Sequence, residues 1–167
     1  IKAQDNLGGL LLKFGQVDKG IEHYKKAVEV NPEAAILHYK LGVLFLKQGS
    51  LDEAVGSFKE ALRAQPNWVE PMNNLAWLLA THKDAGFYNP QESIRLALMA
   101  CELTNYKRFD FLDTLSVAYA ATGKFSEAID TAEKALELVQ SPEQANLAEE
   151  IRKHLNLYRG GKPYVEP

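Results

Sequence analysis

AILHYKLGVLFLKQGSLDEAVGSFKEALRAQPNW, residues 35–68, is the stretch on which the fold turns. It reads as two amphipathic helices joined by a tight turn. Leu41, Gly42 and Phe45 recur at helical spacing in the first, Ala54, Phe58 and Ala61 in the second. Gln48-Gly49-Ser50 supplies the turn between them and Pro66 closes the unit. Neither helix can bury its apolar face alone, so such a unit needs copies of itself on both sides.

The copies follow at a period of 34 residues. Residues 1–34 align without a gap: Leu7, Gly8 and Leu11 stand for Leu41, Gly42 and Phe45, Gly15 for Gly49, and Tyr24, Ala27 and Pro32 for Phe58, Ala61 and Pro66. Gly20 replaces Ala54. Glycine inside a helix costs about 1 kcal/mol relative to alanine, so this second helix is expected to be the loosest, or a neighbouring backbone to approach it closely. The third copy, residues 69–108, keeps Leu75, Ala76 and Leu79 but carries an inserted loop near 82–89. Its second helix restarts at Asn89-Pro90-Gln91-Glu92, with Asn as N-cap and Pro at the first helical position. The fourth copy, residues 109–142, keeps Leu115, Ser116, Tyr119, Gly123, Ala128, Ala132 and Ala135. Ser141-Pro142-Glu143-Gln144 opens a capping helix over 142–159, with Leu147, Ile151, Leu155 and Tyr158 on one face and charges on the other. A polar-backed terminal helix is what a repeat stack requires for solubility. Residues 161–167 read as an extended tail. The sum is nine helices, with no strand candidate longer than a few residues, forming a single domain over residues 1–160.

Composition excludes several classes. The chain has 167 residues, 46% hydrophobic and 25% charged, with a formal net charge of −3, which gives no basic surface for nucleic acid or anionic membrane. Acidity is local: six carboxylates (Asp110, Asp113, Glu127, Asp130, Glu133, Glu137) face two lysines (Lys124, Lys134) in the fourth copy. The single Cys101 rules out an internal disulfide and a cysteine-based zinc site. No signal peptide and no run long enough to span a bilayer is present, so the fragment reads as soluble, without direct membrane contact. The chain starts at Ile1, not Met, close to a helix pattern, and reads as a piece excised from a longer protein.

The spacing L-G-x2-Y/F, A-x3-F, P over residues 1–142 resembles the tetratricopeptide repeat family. Repeats one and two match closely. The later ones depart, with no Trp at the fourth position (Gln4, His38, Met72, Leu112) and a small residue (Ala97, Ala132) before the last Ala. The run from Asn74-Leu75-Ala76-Trp77 to Pro163-Tyr164 is similar to the terminal block of many bacterial repeat proteins. Some of those carry a membrane or glycosyltransferase portion upstream. The resemblance implies an all-α, right-handed α-solenoid of four helix-turn-helix repeats plus a C-terminal capping helix. It also implies a bacterial source and a C-terminal position in a longer protein, with the compartment, cytoplasm or periplasm, left open.

In that family the first helix of each repeat lines a concave groove that holds partners. By position this implies Asn6 and Lys13, with Lys2, Asp5 and Gly9, in repeat one. Tyr39, Lys40, Val43 and Lys47 follow in repeat two, Asn73, Asn74, Trp77 and Thr81 in repeat three, and Asp110, Asp113, Thr114 and Val117 in repeat four. Asn6 and Asn74 share one repeat position, and an amide can grip a peptide backbone through donor and acceptor together; the plainer reading is a solvated helix face. Tyr39, Val43 and Trp77 suggest an apolar patch, against the alternative that Trp77 packs on a neighbouring repeat or the long loop. Asp110 and Asp113 would suit a basic peptide end, or be ordinary surface. The family's carboxylate-clamp variety needs Lys and Asn at two groove positions four apart. Asp5 and Gly9, Tyr39 and Val43, Asn73 and Trp77, and Asp113 and Val117 stand there instead, which argues against recognition of chaperone C-termini.

Catalysis has little support. His23, His38, His82 and His154 show no metal-ligand spacing, Cys101 reads as core, and there is no phosphate-binding Gly loop, so no metal or cofactor is expected. The tail, Lys162-Pro163-Tyr164-Val165-Glu166-Pro167, either folds back on its own cap helix or enters the groove of another molecule, which would permit self-association. The reading is a non-catalytic module binding a peptide or protein segment in its groove. The alternatives are an accessory, substrate-recruiting domain of a larger bacterial enzyme such as a glycosyltransferase, or a self-assembling scaffold.

Overall fold

The computed structural model describes residues 16–139 and 144–166, and Asn6 and Lys13 therefore lie outside the described residues, as does the capping box at 141–143. Among the described residues there are eight helices and no strand: α1 (Val17–Val30), α2 (Ala35–Gln48), α3 (Leu51–Ala64), α4 (Val69–Thr81), α5 (Pro90–Leu103), α6 (Phe109–Ala121), α7 (Phe125–Glu137) and α8 (Ala145–Arg159). The chain divides into two compact units, with the boundary between Pro71 and Met72. Pro71 stands in the first turn of α4, where its missing N–H would have no intrahelical partner in any case.

In the first unit α2 packs against both α1 and α3. The turn between α2 and α3 falls on the expected residues, with Gly49 in the left-handed region at φ 81°, and Ser50 N donating to Phe45 O at 2.9 Å. Leu41, Leu44 and Phe45 of α2 meet Ala54, Phe58 and Ala61 of α3 in the core, with Ile21, Tyr24 and Ala27 contributed by α1. At Gly20 the close neighbour is the Leu44 side chain, 3.4 Å from where a Cβ would sit, and not the backbone.

In the second unit α6 is the central element, packed by α5, α7 and α8. Small residues make the close approach possible: Ala97, Ala100 and Cys101 on α5 and Ala128, Ala132 and Ala135 on α7 have no exposed surface. The long loop between α4 and α5 is fixed at both ends. Asn89 N donates to Leu79 O at 3.0 Å, and the Asn89 side chain caps α5 by accepting from Glu92 N at 3.1 Å. Ser93 Oγ, buried, donates to Ala76 O at 2.6 Å and ties α5 to α4. Where a proline closes the earlier repeats, Asn105 and Tyr106 both adopt left-handed φ, 52° and 55°, and Tyr106 N returns to Cys101 O at 2.8 Å.

Candidate functional site

The tail of the chain builds the site. After α8, Gly161 takes a left-handed φ of 66°, and Lys162 N donates to Leu157 O at 3.0 Å. This turn sends residues 162–166 back across α8. Tyr164 lands on His154, ring centres 4.3 Å apart, and near Trp77 at 5.7 Å. Val165 points outward and is exposed. Glu166 is gripped at three points. Trp77 Nε1–H donates to its Oε1 at 2.7 Å, His82 Nε2 lies 3.2 Å from its Oε2, and its backbone N donates to Thr81 O at 3.0 Å. Inward contacts on Tyr164 and Glu166, with Val165 free between them, follow the alternation of extended chain.

Two cavities flank the segment, sharing the His154–Tyr164 wall. One, of about 360 Å³, is framed by Asn73 and Trp77 of α4, Asp110 and Asp113 of α6, and Leu147 and Glu150 of α8. The other, of about 640 Å³, runs beside Lys153, Leu157 and Lys162. In the first cavity Asn73 Oδ1 is buried and has no hydrogen-bond partner among the described residues, an unusual state for a buried acceptor.

Charge within the site is already engaged. Asp110 is held by Arg108 at 2.6 Å and Asp113 by His154 Nδ1 at 2.9 Å. Each of these two carboxylates thus already has a partner within the chain. Burial, followed by the carboxylates of Glu166, Glu150 and Asp113, raises the Tyr164 phenol above its ordinary range. The phenol stays neutral and acts as an apolar ring with a polar tip.

Of the residues placed in a groove by position, the structure brings together Asn73, Trp77, Asp110, Asp113 and Thr114 around one cavity. Thr114 is nearly buried, with its hydroxyl 3.2 Å from Asp110 O. Val117 has no exposed surface and presents nothing to a ligand; this corrects its placement, because α6 is packed by three helices. Asn74 is half-buried and does not line the cavity. Tyr39, Lys40, Val43 and Lys47 belong to the first unit. Tyr39 lies tilted against Trp68, ring centres 4.7 Å apart, Lys40 Nζ sits 5.7 Å from the Tyr24 ring centre, Val43 is half-buried, and Lys47 is exposed. Trp77 bonds its indole to the tail and sets its ring against His154 of α8 at 5.9 Å. The sequence weighed His82 and His154 only as metal ligands and Glu166 only as part of the tail, because nothing local marks their pairing.

Among the described residues no cluster of three or more His, Cys, Asp or Glu side chains has metal-holding geometry. No helix there is long and apolar enough to cross a membrane. Cys101 is fully buried, and burial, with nearby Asp110 and Glu102, pushes its thiol up to about 12, the reverse of an activated nucleophile.

Comparison with known proteins agrees with this architecture. Family profiles described as tetratricopeptide repeat match residues 6–67 and 112–145, together more than half of the chain. A search of curated proteins gives no match. Among solved structures, the chain is similar to MamA (21% identity, TM-score 0.71, covering 92% of this chain and 93% of that one). It is also similar to YrrB, described as a TPR protein with an unusual peptide-binding site (22%, 0.72, 93% and 76%). A third is pilF of Pseudomonas aeruginosa (23%, 0.69, 96% and 73%). At these identities the likeness is one of fold: an all-α helical repeat solenoid. Profile matches, helix pairing and structural likeness agree that the chain belongs to the tetratricopeptide repeat family, whose members serve in general as protein–protein interaction modules.

Proposed function

We propose that the chain is a protein-interaction module that holds a segment of a partner against α4, α6 and α8 of its second unit. One observation carries the reading: the chain's own residues 164–166 lie there, bonded by backbone and side chain to Thr81, Trp77 and His82. A surface that takes one extended segment through a carbonyl, an indole N–H and an imidazole has the chemistry to take another. The two cavities flanking the tail leave room for a further segment and so support the reading. YrrB is described as having a peptide-binding site; that belongs to YrrB, and supports the reading only as a use to which this fold lends itself.

The test is unbiased selection from a displayed peptide library on the full chain and on its Trp77→Ala variant. Ligands that bind the first and fail on the second, with the helical circular dichroism of both unchanged, support the reading. Selection of the same ligands by both contradicts it.

A further inference from the structure

The contacts of the tail state what kind of segment the site accepts. Tyr164 supplies an aromatic face to His154 and Trp77. Two residues on, Glu166 places one carboxylate oxygen on an indole N–H and the other on an imidazole nitrogen. The residue between is exposed and makes no demand on its side chain. A glutamine in the place of Glu166 carries no charge, and a hydrogen bond to a charged group is roughly twice as strong as a neutral one. The site therefore discriminates at two positions and is indifferent at the third.

Resting on the proposed function above, we infer that the second unit is selective for a partner-protein segment of the pattern aromatic, any residue, carboxylate, and that the chain's own Tyr164-Val165-Glu166 is the resident competitor for it. A partner has something to gain that the tail leaves unused: about 360 Å³ of cavity beside the tail, and Asn73 Oδ1, which an N–H from the incoming segment would satisfy. A second copy of this chain brings only the contacts already made in cis, against a tethered tail whose effective concentration is on the order of millimolar, so a partner protein is the occupant. Displacement requires no helix to move. Residues 164–166 can leave by a swing about the turn at Gly161 and the exposed Lys162 and Pro163.

The test uses the whole 167-residue chain carrying Tyr164→Ala and Glu166→Ala, which vacates the site without shortening the chain. The probe is a fluorescein-labelled peptide of sequence GKPYVE, residues 161–166, read by anisotropy. It is expected to bind the double variant at least about tenfold more tightly than the wild type, because the wild-type tail competes. In the probe, the Tyr164→Ala and Glu166→Gln changes are each expected to weaken binding by about tenfold, as loss of an anchor does, and Val165→Ala to leave it unchanged. Equal binding of all four peptides overturns the selectivity while leaving peptide binding intact. Failure of every peptide to bind the double variant overturns both readings. A wild-type mass that doubles with concentration in light scattering, and does not in the double variant, makes a second copy the occupant and overturns the assignment to a partner.

Discussion

Gly42 sits where no side chain can. A Cβ there would lie 2.5 Å from Phe58 Cε1 and 2.7 Å from Cδ1, and a ring with no exposed surface cannot retreat. Gly42→Ala is therefore expected to destabilise the first unit by about 1–3 kcal/mol, measured by urea denaturation. Gly20 makes the contrast. Its would-be Cβ meets Leu44 Cδ1 at 3.4 Å, so the helix gain of about 1 kcal/mol should exceed the small adjustment, and Gly20→Ala should raise the denaturation midpoint. The repeat pattern marked both positions but not their neighbours, because spacing along a chain says which face is shared and not which atom arrives. Cys101 gives a pH prediction. Its thiol is pushed up from 9.0 to about 12 in the folded state, so between those values the native state holds a proton that the unfolded state has lost. Stability from this group is complete below about pH 9 and falls as pH rises, by up to about 1.4 kcal/mol per pH unit. Cys101→Ala should flatten that component of a stability–pH profile above pH 9, and the wild-type thiol should resist alkylation at pH 8 until the chain unfolds.

At the scale of the element, α5 shows what sequence transmits well. Asn89, Pro90 and Glu92 lie within one turn, and the cap they spell is the cap that forms. Asn89→Ala should cost about 1 kcal/mol and raise amide exchange first in the opening turn of α5. By contrast α6 is buried on more than half of its thirteen residues, so its apolar period marks no single face, and Val117 could not be told from a surface position. The tail was harder still. Trp77 and Glu166 are 89 residues apart, and no local pattern encodes a pairing at that distance. What could be read was that a segment with Pro163 and Tyr164 after a Gly-Gly stop had two places to go. Packing on His154 and the indole bond decided between them.

For the whole molecule, the helical repeat was legible because it is written several times, and each copy corrects the reading of the others. The site was not, because it is built where the repeats depart from one another. His82 comes from the inserted loop, Trp77 stands where the second repeat has Val43, and Tyr164 and Glu166 lie beyond the last repeat. The central claim is that this site in the second unit is a peptide site occupied by the chain's own tail. The most direct measurement is of the two indole N–H signals of the 15N-labelled 167-residue chain. Trp68 lies in the first unit and serves as the internal reference. Glu166→Ala is expected to shift the Trp77 signal away from its hydrogen-bonded position and leave Trp68 in place, and added GKPYVE peptide to bring it back. A Trp77 signal that ignores both the substitution and the peptide would contradict the account.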